Sequence, residues 1–149
     1  MLTLINTNRM KPIIALIGLN YIASSVQQAE TDVEVLDLGL ADESAKTIGK
    51  YFSEKNPELV GVSFRNSDDC FWPSASWFVP DLGDIIQAVC AMTDTPIVLG
   101  GVGFSIFARS IFEYTHANLG IRGDGEKGII RNFPYTPLIS TTKPPNFIS

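Results

Sequence analysis

Five short apolar runs, rich in β-branched residues, alternate along the chain with stretches of helical periodicity. This alternation constrains the fold more than any other feature, because it is typical of βαβ units in a parallel sheet. The runs are Ile13 to Ile17, Val33 to Leu38, Leu59 to Phe64, Ile97 to Leu99 and Leu119 to Arg122. The first, third and fourth runs are apolar almost without a break, which predicts central strands covered by helices on both faces.

The segments between the runs predict amphipathic helices. Ser44 to Lys55 places Ile48 and Phe52 on one face, and Pro80 begins a second helix with the same spacing of apolar residues. Shorter helices are predicted over Tyr21 to Gln28, Ile106 to Tyr114 and Glu126 to Arg131. The expected fold is therefore a flavodoxin-like, or Rossmann-like, three-layer α/β/α sandwich with a five-stranded parallel sheet in the order 2-1-3-4-5.

The chain has the size and composition of one globular domain, with 149 residues of which 45% are hydrophobic and 18% charged. We expect an N-terminal extension over residues 1–11, the folded domain over 12–131 and a proline-rich linker or tail over 132–149. The tail holds four prolines in 18 residues, so it is expected to be extended. These are Pro134, Pro137, Pro144 and Pro145.

Charge and cysteine content exclude several classes of function. The net charge of -5 would repel a phosphate backbone, so nucleic acid is not an expected partner. Two cysteines, Cys70 and Cys90, are too few for a secreted disulfide scaffold. The apolar run Ile13 to Leu19 is too short to span a membrane and lacks a signal-cleavage region after it. The sequence thus predicts a soluble cytoplasmic protein with no membrane partner.

In a doubly wound sheet the ligand site lies on the loops that leave the strands. The loops after strands four and five are rich in glycine, which would let the backbone approach a bulky ligand closely. They contain Gly100, Gly101 and Gly103, and then Gly123 and Gly125. Ser105 is a possible helix cap, and the amide groups before it would suit a phosphate or an amide-bearing tail.

Common sites of this architecture are not present in the sequence. Gly18 is not followed by the further glycines of a dinucleotide-binding loop, and no Walker A phosphate loop occurs. Ser63 and Arg122 stand where a response-regulator receiver would want aspartate and lysine. Cys70 and His116 are isolated, so neither a cysteine nucleophile nor a zinc or iron-sulfur ligand set is predicted.

Four segments at the predicted strand ends carry a more specific pattern. They are Val35 to Leu38, Leu59 to Asp69 (LVGVSFRNSDD), Pro96 to Ser105 (PIVLGGVGFS) and Gly123 to Glu126 (GDGE). Their order and spacing, over about residues 12 to 131, resemble the cobalamin-binding domain at the N terminus of many radical S-adenosylmethionine (SAM) enzymes.

The resemblance implies a corrinoid across the carboxyl ends of the strands, with its nucleotide tail inserted between sheet and helices. The tail pocket would be lined by Ser63, Gly100, Gly101 and Gly103, with Phe104 and Ser105 on the same loop. Gly123, Gly125 and Glu126 would close over the corrin rim or the tail. Arg65 and Asn66 would lie beneath the cobalt or against the corrin amides.

Three departures from the family pattern qualify the expected chemistry. The Asp-x-His-x-x-Gly motif that supplies a lower histidine ligand is absent, which leaves the lower face to water, Arg65 or Asn66. Asp124 replaces the glutamate usual in the family. The CxxxCxxC motif is also absent. SAM and a [4Fe-4S] cluster are therefore expected only in a radical SAM domain outside this sequence. The chain is interpreted as the non-catalytic cofactor domain of a methyltransferase-like enzyme. The alternative is a flavodoxin-like regulatory or interaction domain without a cofactor. A flavin-binding domain is a third reading, which the absence of a Ser/Thr-rich phosphate loop after strand one disfavours.

Overall fold

The computed structural model describes residues 1–131 and 147–148, which build one parallel sheet between two layers of helices. The strand order is β2-β1-β3-β4-β5-β6, which confirms the predicted five-strand order and adds a sixth strand at the edge. The strands are β1 Leu2–Asn6, β2 Val33–Asp37, β3 Leu59–Ser63, β4 Ile97–Gly100, β5 Leu119–Ile121 and β6 Phe147–Ile148.

The first strand lies earlier in the chain than the sequence predicted. The strand prediction for Ile13 to Ile17 is wrong: β1 spans Leu2–Asn6, is fully buried, and pairs with β2 on one side and β3 on the other. The segment expected to be an N-terminal extension therefore contains a central strand. Residues 13–16 form part of the loop that follows it, and Ile17 begins the first helix.

The predicted tail differs from expectation at its end, where residues 147–148 pair with β5 in parallel. The remainder of the expected linker, residues 132–146 and 149, lies outside the described residues.

Helices occupy the predicted positions with shifted boundaries. The first begins four residues earlier than predicted, and the one expected over residues 106–114 is divided at Phe107 into two helices. The helices are α1 Ile17–Gln28, α2 Ser44–Glu54, α3 Val79–Cys90, α4 Val102–Ile106, α5 Ala108–Thr115 and α6 Gly125–Arg131, with a 3-10 turn over Leu38–Leu40. Within the part of the chain that the structure describes, no helix is long and apolar enough to cross a membrane.

The two faces of the sheet carry different cores. On one face α2, α3 and α5 bury a large cluster that includes Ile48, Leu82 and Ile111 against the sheet. On the other face α1 and α6 contribute a smaller cluster, with Leu19 and Ile129 among its members. The smaller layer leaves part of its side of the sheet uncovered, toward the carboxyl ends of the strands.

Candidate functional site

Small residues in the two central strands open a crevice on the sheet face beneath α1 and α6. The strand register places Leu4, Gly61 and Val98 in one row across β1, β3 and β4. The next row toward the carboxyl edge consists of Asn6, Ser63 and Gly100. Because successive side chains of a strand alternate between faces, both rows face the same helix layer.

The crevice is a cavity of about 400 Å³ that opens at the carboxyl edge of the sheet. This volume is within the range of small-molecule sites, about 300–1,000 Å³. Its walls come from four strands, from α1 and α6, and from the loops after β1, β3, β4 and β5. The lining residues are Leu4, Asn6, Asn8, Ile14, Ala15, Leu16, Ile17, Gly18, Leu19, Ile22, Gly61, Val62, Ser63, Arg65, Val98, Gly100, Gly101, Val102, Ile121, Gly123, Asp124, Gly125, Glu126 and Ile129.

Three glycines of the crevice differ in what requires them. Gly101 has φ +104°, and a Cβ there would lie 2.6 Å from the carbonyl oxygen of Phe64, so the backbone itself demands glycine. A Cβ on Gly125 would lie 2.8 Å from Cδ1 of Ile22, because α6 packs closely against α1. A Cβ on Gly100 would make only ordinary contact, 3.6 Å from the Ile121 carbonyl oxygen. Packing does not require glycine at position 100, but because Gly100 has no side chain the crevice stays open there.

Most of the predicted site residues line this one cavity, although they come from three different loops. They are Ser63, Arg65, Gly100, Gly101, Gly123, Gly125 and Glu126. The parallel sheet brings them together because the loops after β3, β4 and β5 all leave at the same edge.

Two predicted residues of the loop after β4 lie in the protein interior instead. Phe104 is fully buried in the core cluster on the opposite face of the sheet, where its ring lies against Gly120. Gly103 is buried where a Cβ would lie 2.9 Å from the carbonyl oxygen of Arg65. Both residues hold the loop in place without lining the cavity, because α4 turns inward immediately after Gly101.

Ser105 has a different role from the predicted helix cap. It lies within α4, where its hydroxyl donates a hydrogen bond to the carbonyl oxygen of Gly101 (2.9 Å). The Ser105 hydroxyl oxygen also accepts a hydrogen bond from the amide of Gly123 (3.0 Å). Ser105 thereby ties together the two glycine loops that border the cavity.

Asn66 faces away from the main cavity. It lines a separate space of about 10 Å³ beside Thr7 and Asp81, which is the size of a single water molecule. Its buried Oδ1 has no hydrogen-bond partner among the residues that the structure describes. Asn66 is therefore not among the residues that line the crevice, and its predicted position beneath the cobalt or against the corrin amides stays a prediction.

β1 and the loop that follows it also contribute to the site, which the sequence patterns did not predict. The buried Asn6 donates from Nδ2 to Oδ1 of Asp37 (2.7 Å), and its own Oδ1 accepts from the amide of Asn8 (3.1 Å). The Asp37 oxygen also accepts from the amide of Gly39 (2.9 Å). This network fixes the start of the loop over the crevice. An asparagine directly after a short apolar run was the available signal, and it is informative only once β1 is placed at Leu2–Asn6.

Polar and charged groups gather at the mouth of the crevice. Arg65 is exposed there, and within the described chain its guanidinium makes no hydrogen bond or ion pair. Asp124 and Glu126 lie on the opposite rim, after β5. A cation and two carboxylates thus border an otherwise apolar space and are accessible to the polar periphery of a ligand.

Cys70 and His116 lie outside the cavity. Cys70 is in the loop between β3 and α3, where the hydrogen bond to the Asp68 carboxylate raises the pKa of the thiol and keeps it protonated. His116 ends α5, three residues before β5, at the amino edge of the sheet. Within residues 1–131 and 147–148, no three histidine, cysteine or acidic side chains are grouped as metal ligands.

Comparison with known proteins identifies the family. A model of the B12 binding domain matches residues 4–130. The chain is 34% identical over 125 residues to the tryptophan 2-C-methyltransferase of Streptomyces laurentii, which covers 83% of this chain and 21% of that protein.

Solved structures agree with this relationship. The radical SAM methyltransferase TsrM from Kitasatospora setae, with cobalamin and a [4Fe-4S] cluster bound, has a TM-score of 0.83 and 34% identity over 87% of this chain and 25% of its own. The cobalamin-dependent SAM radical enzyme OxsB, with aqua-cobalamin bound, shares the fold at a TM-score of 0.63 and 18% identity, over 89% of this chain and 18% of its own. The chain spans about a fifth to a quarter of the length of the methyltransferases it matches. Because the family model matches most of the chain and the methyltransferases share 34% identity with it, the chain belongs to the B12-binding domain family.

Proposed function

We propose that this chain is the cobalamin-binding domain of a cytoplasmic radical SAM methyltransferase. The observation that carries the proposal is the crevice itself, which opens at the carboxyl edge of the sheet and exists because β3 and β4 present Gly61, Ser63 and Gly100 to it. A side chain of ordinary size at these positions would fill the space.

The shape and polarity of the crevice fit the nucleotide tail of cobalamin. Its volume of about 400 Å³ accommodates a nucleotide but not a corrin macrocycle, which would lie outside, across the strand ends. Asn6, Asn8 and Ser63 at the mouth would face the sugar and phosphate of the tail, and the apolar inner end would hold the base. Gly123, Gly125 and Glu126 would close over the corrin rim.

In this proposal Arg65 would lie beneath the cobalt or against the corrin amides, and no histidine would accompany it. His116 is at the wrong edge of the sheet to take that position. A guanidinium is always protonated and has no lone pair to offer a metal, so Arg65 would keep other ligands away from the cobalt. A weakly ligated metal favours a low-valent, nucleophilic state.

The remaining chemistry belongs to parts of the protein beyond this domain. Cobalamin, when bound, supplies a cobalt centre that carries a methyl group. The residues of the crevice would bind and orient the cofactor, and the crevice would exclude water from its tail. We propose that a radical SAM domain, with its SAM and [4Fe-4S] cluster, lies in the same chain and selects the methyl acceptor.

Retention of hydroxocobalamin tests the proposal. The purified 149-residue chain should stay coloured through gel filtration. Gly100→Val should weaken binding about tenfold or more, since overfilling a formed pocket costs about 1–3 kcal/mol. Gly49→Val, in open space on α2, is the matched control and should bind normally. A colourless wild-type protein would overturn the assignment and favour a regulatory domain without cofactor.

The role of Arg65 has a spectroscopic test. Arg65→Ala should change the visible absorbance of bound cobalamin, because water can then reach the lower face of the metal. Arg109→Ala removes another exposed guanidinium, on α5 and paired with Glu113, and should leave the spectrum unchanged. Identical spectra for wild type and Arg65→Ala would place Arg65 away from the cobalt.

A further inference from the structure

The inner end and the mouth of the crevice differ completely in polarity. Six lining residues are polar or charged, and each is the last residue of a strand or lies beyond a strand end. They are Asn6, Asn8, Ser63, Arg65, Asp124 and Glu126. Deeper in, the lining is formed by Leu4, Leu19, Ile22, Gly61, Val98 and Ile129.

The backbone at the inner end offers no free hydrogen-bonding group. Leu4, Gly61 and Val98 lie within the parallel ladders of the sheet, and Ile22 and Ile129 lie beyond the first turns of α1 and α6, where each amide is bonded within its helix. The first-turn amides of these helices, including that of Leu19, have no partner within the helix, but they lie at the helix ends nearest the mouth of the crevice. A polar atom that enters the inner end would lose its water and find no partner among the described residues. Leaving one such group unpaired weakens binding by about tenfold or more.

We infer that the inner end selects corrinoids by the chemistry of their lower base, favouring benzimidazole over adenine. This inference rests on the proposed function. A dimethylbenzimidazole presents a carbocyclic ring and two methyl groups to Leu4, Val98 and Ile129. An adenine in the same place would bury an exocyclic amine and additional ring nitrogens against the same apolar atoms, with no acceptor or donor in reach.

The test compares the affinities of three corrinoids for the wild-type chain. These are hydroxocobalamin, the corresponding adeninylcobamide, and cobinamide, which lacks the nucleotide. Because adenine leaves cobalt more readily than benzimidazole, the free energy of base detachment is subtracted for each corrinoid. It is obtained from acid titration of the free corrinoid together with the pKa of the detached base, which takes up the proton. After this correction cobalamin should bind about tenfold or more tightly than adeninylcobamide.

A pair of variants separates the crevice from general effects on stability. Val98→Thr adds a hydroxyl at the inner end of the crevice, and it should reduce the preference for benzimidazole. Val60→Thr makes the same change in the core on the opposite face of the sheet, and it should leave the preference unaltered. Both valines are nearly inaccessible, so the two variants lose comparable packing.

The outcomes distinguish failure of the inference from failure of the proposed function. If none of the three corrinoids binds, the proposed function is wrong. If cobinamide binds as tightly as cobalamin after the same correction, the tail is not in the crevice and the inference is overturned. If adeninylcobamide matches cobalamin after correction, or if Val98→Thr leaves the preference unchanged, the domain binds corrinoids but does not select their base.

Discussion

Gly101 and Gly123 both adopt a positive φ, but only Gly101 also lies against neighbouring backbone. Gly101, at φ +104° and ψ 171°, is in a region that only glycine enters readily, and a Cβ would lie 2.6 Å from the Phe64 carbonyl oxygen. Gly123, at φ +91°, has open space around the Cβ position. We expect Gly123→Ala to cost about 1–2 kcal/mol of unfolding free energy and Gly101→Ala about 3 kcal/mol or more. Urea denaturation measures both losses of unfolding free energy. Equal losses would mean that the loop backbone shifts to accommodate the Cβ at position 101.

Asp68 controls the reactivity of Cys70 in the loop between β3 and α3. Its Oδ1 accepts a hydrogen bond from the Cys70 amide (2.7 Å), and the bond from the thiol raises the pKa of Cys70. Removing the carboxylate charge in Asp68→Asn should therefore lower that pKa and speed alkylation of the thiol by iodoacetamide at pH 8. The pH dependence of the rate, measured in a Cys90→Ser background, gives the shift directly. An unchanged profile would show that the carboxylate does not act on the sulfur.

At the scale of elements, a polar network fastens α2 to the edge of the sheet. The Tyr51 hydroxyl on α2 donates to Oε2 of Glu34 on β2 (2.9 Å) and bonds to the hydroxyl of the fully buried Thr3 on β1 (2.8 Å). Tyr51→Phe leaves the Thr3 hydroxyl without this partner and should cost about 1–3 kcal/mol. Tyr21→Phe, at an exposed position on α1, is the control and should change stability little. If urea denaturation gave equally small losses of unfolding free energy for Tyr51→Phe and Tyr21→Phe, packing alone would position α2.

The same tyrosine predicts how stability changes at alkaline pH. Burial, together with the hydrogen bond to the Glu34 carboxylate, raises the pKa of Tyr51 to about 12 from its ordinary 10.0. The unfolded chain loses this proton at lower pH than the folded protein, so the contribution of Tyr51 to stability is complete below pH 10 and declines as the pH rises to about 12. The stability difference between wild type and Tyr51→Phe, followed by urea denaturation from pH 9 to 12, should shrink over that interval. A constant difference would contradict the raised pKa.

The elements that the sequence predicted correctly are those whose apolar pattern serves the core. Leu59–Ser63 and Ile97–Gly100 are apolar because helices cover both faces of the central sheet. Their unbroken apolar composition therefore matches their burial in the structure. Residues 13–17 are apolar for another reason. Ile14, Ala15, Leu16 and Ile17 line a cavity, and a short apolar run around a ligand site has the composition of a buried strand.

At the scale of the whole molecule, the site depends on which strand ends adjoin in the sheet. The glycine loops after β4 and β5 could be predicted from sequence because each carries its own signal. Asn6 and Asn8 could not, since their position depends on β1 lying between β2 and β3. The inward turn that buries Phe104 is likewise a property of the packed chain, set by the close contact of its ring with Gly120.

Cofactor binding should stabilise the whole domain, because the crevice forms only when β1, β3, β4, α1 and α6 are packed together. A ligand that binds the folded state alone adds about 2.7 kcal/mol at a concentration 100 times its Kd. For a domain of this size the melting temperature should then rise by roughly 5–10 °C and continue to rise with the logarithm of the hydroxocobalamin concentration. Gly49→Val should follow the wild type, whereas Gly100→Val, which fills the crevice, should need about tenfold more cofactor for the same shift. A melting temperature independent of cofactor in a protein that stays coloured would mean that the vitamin binds the folded and unfolded chains equally, since binding in the crevice cannot leave the unfolding equilibrium unchanged.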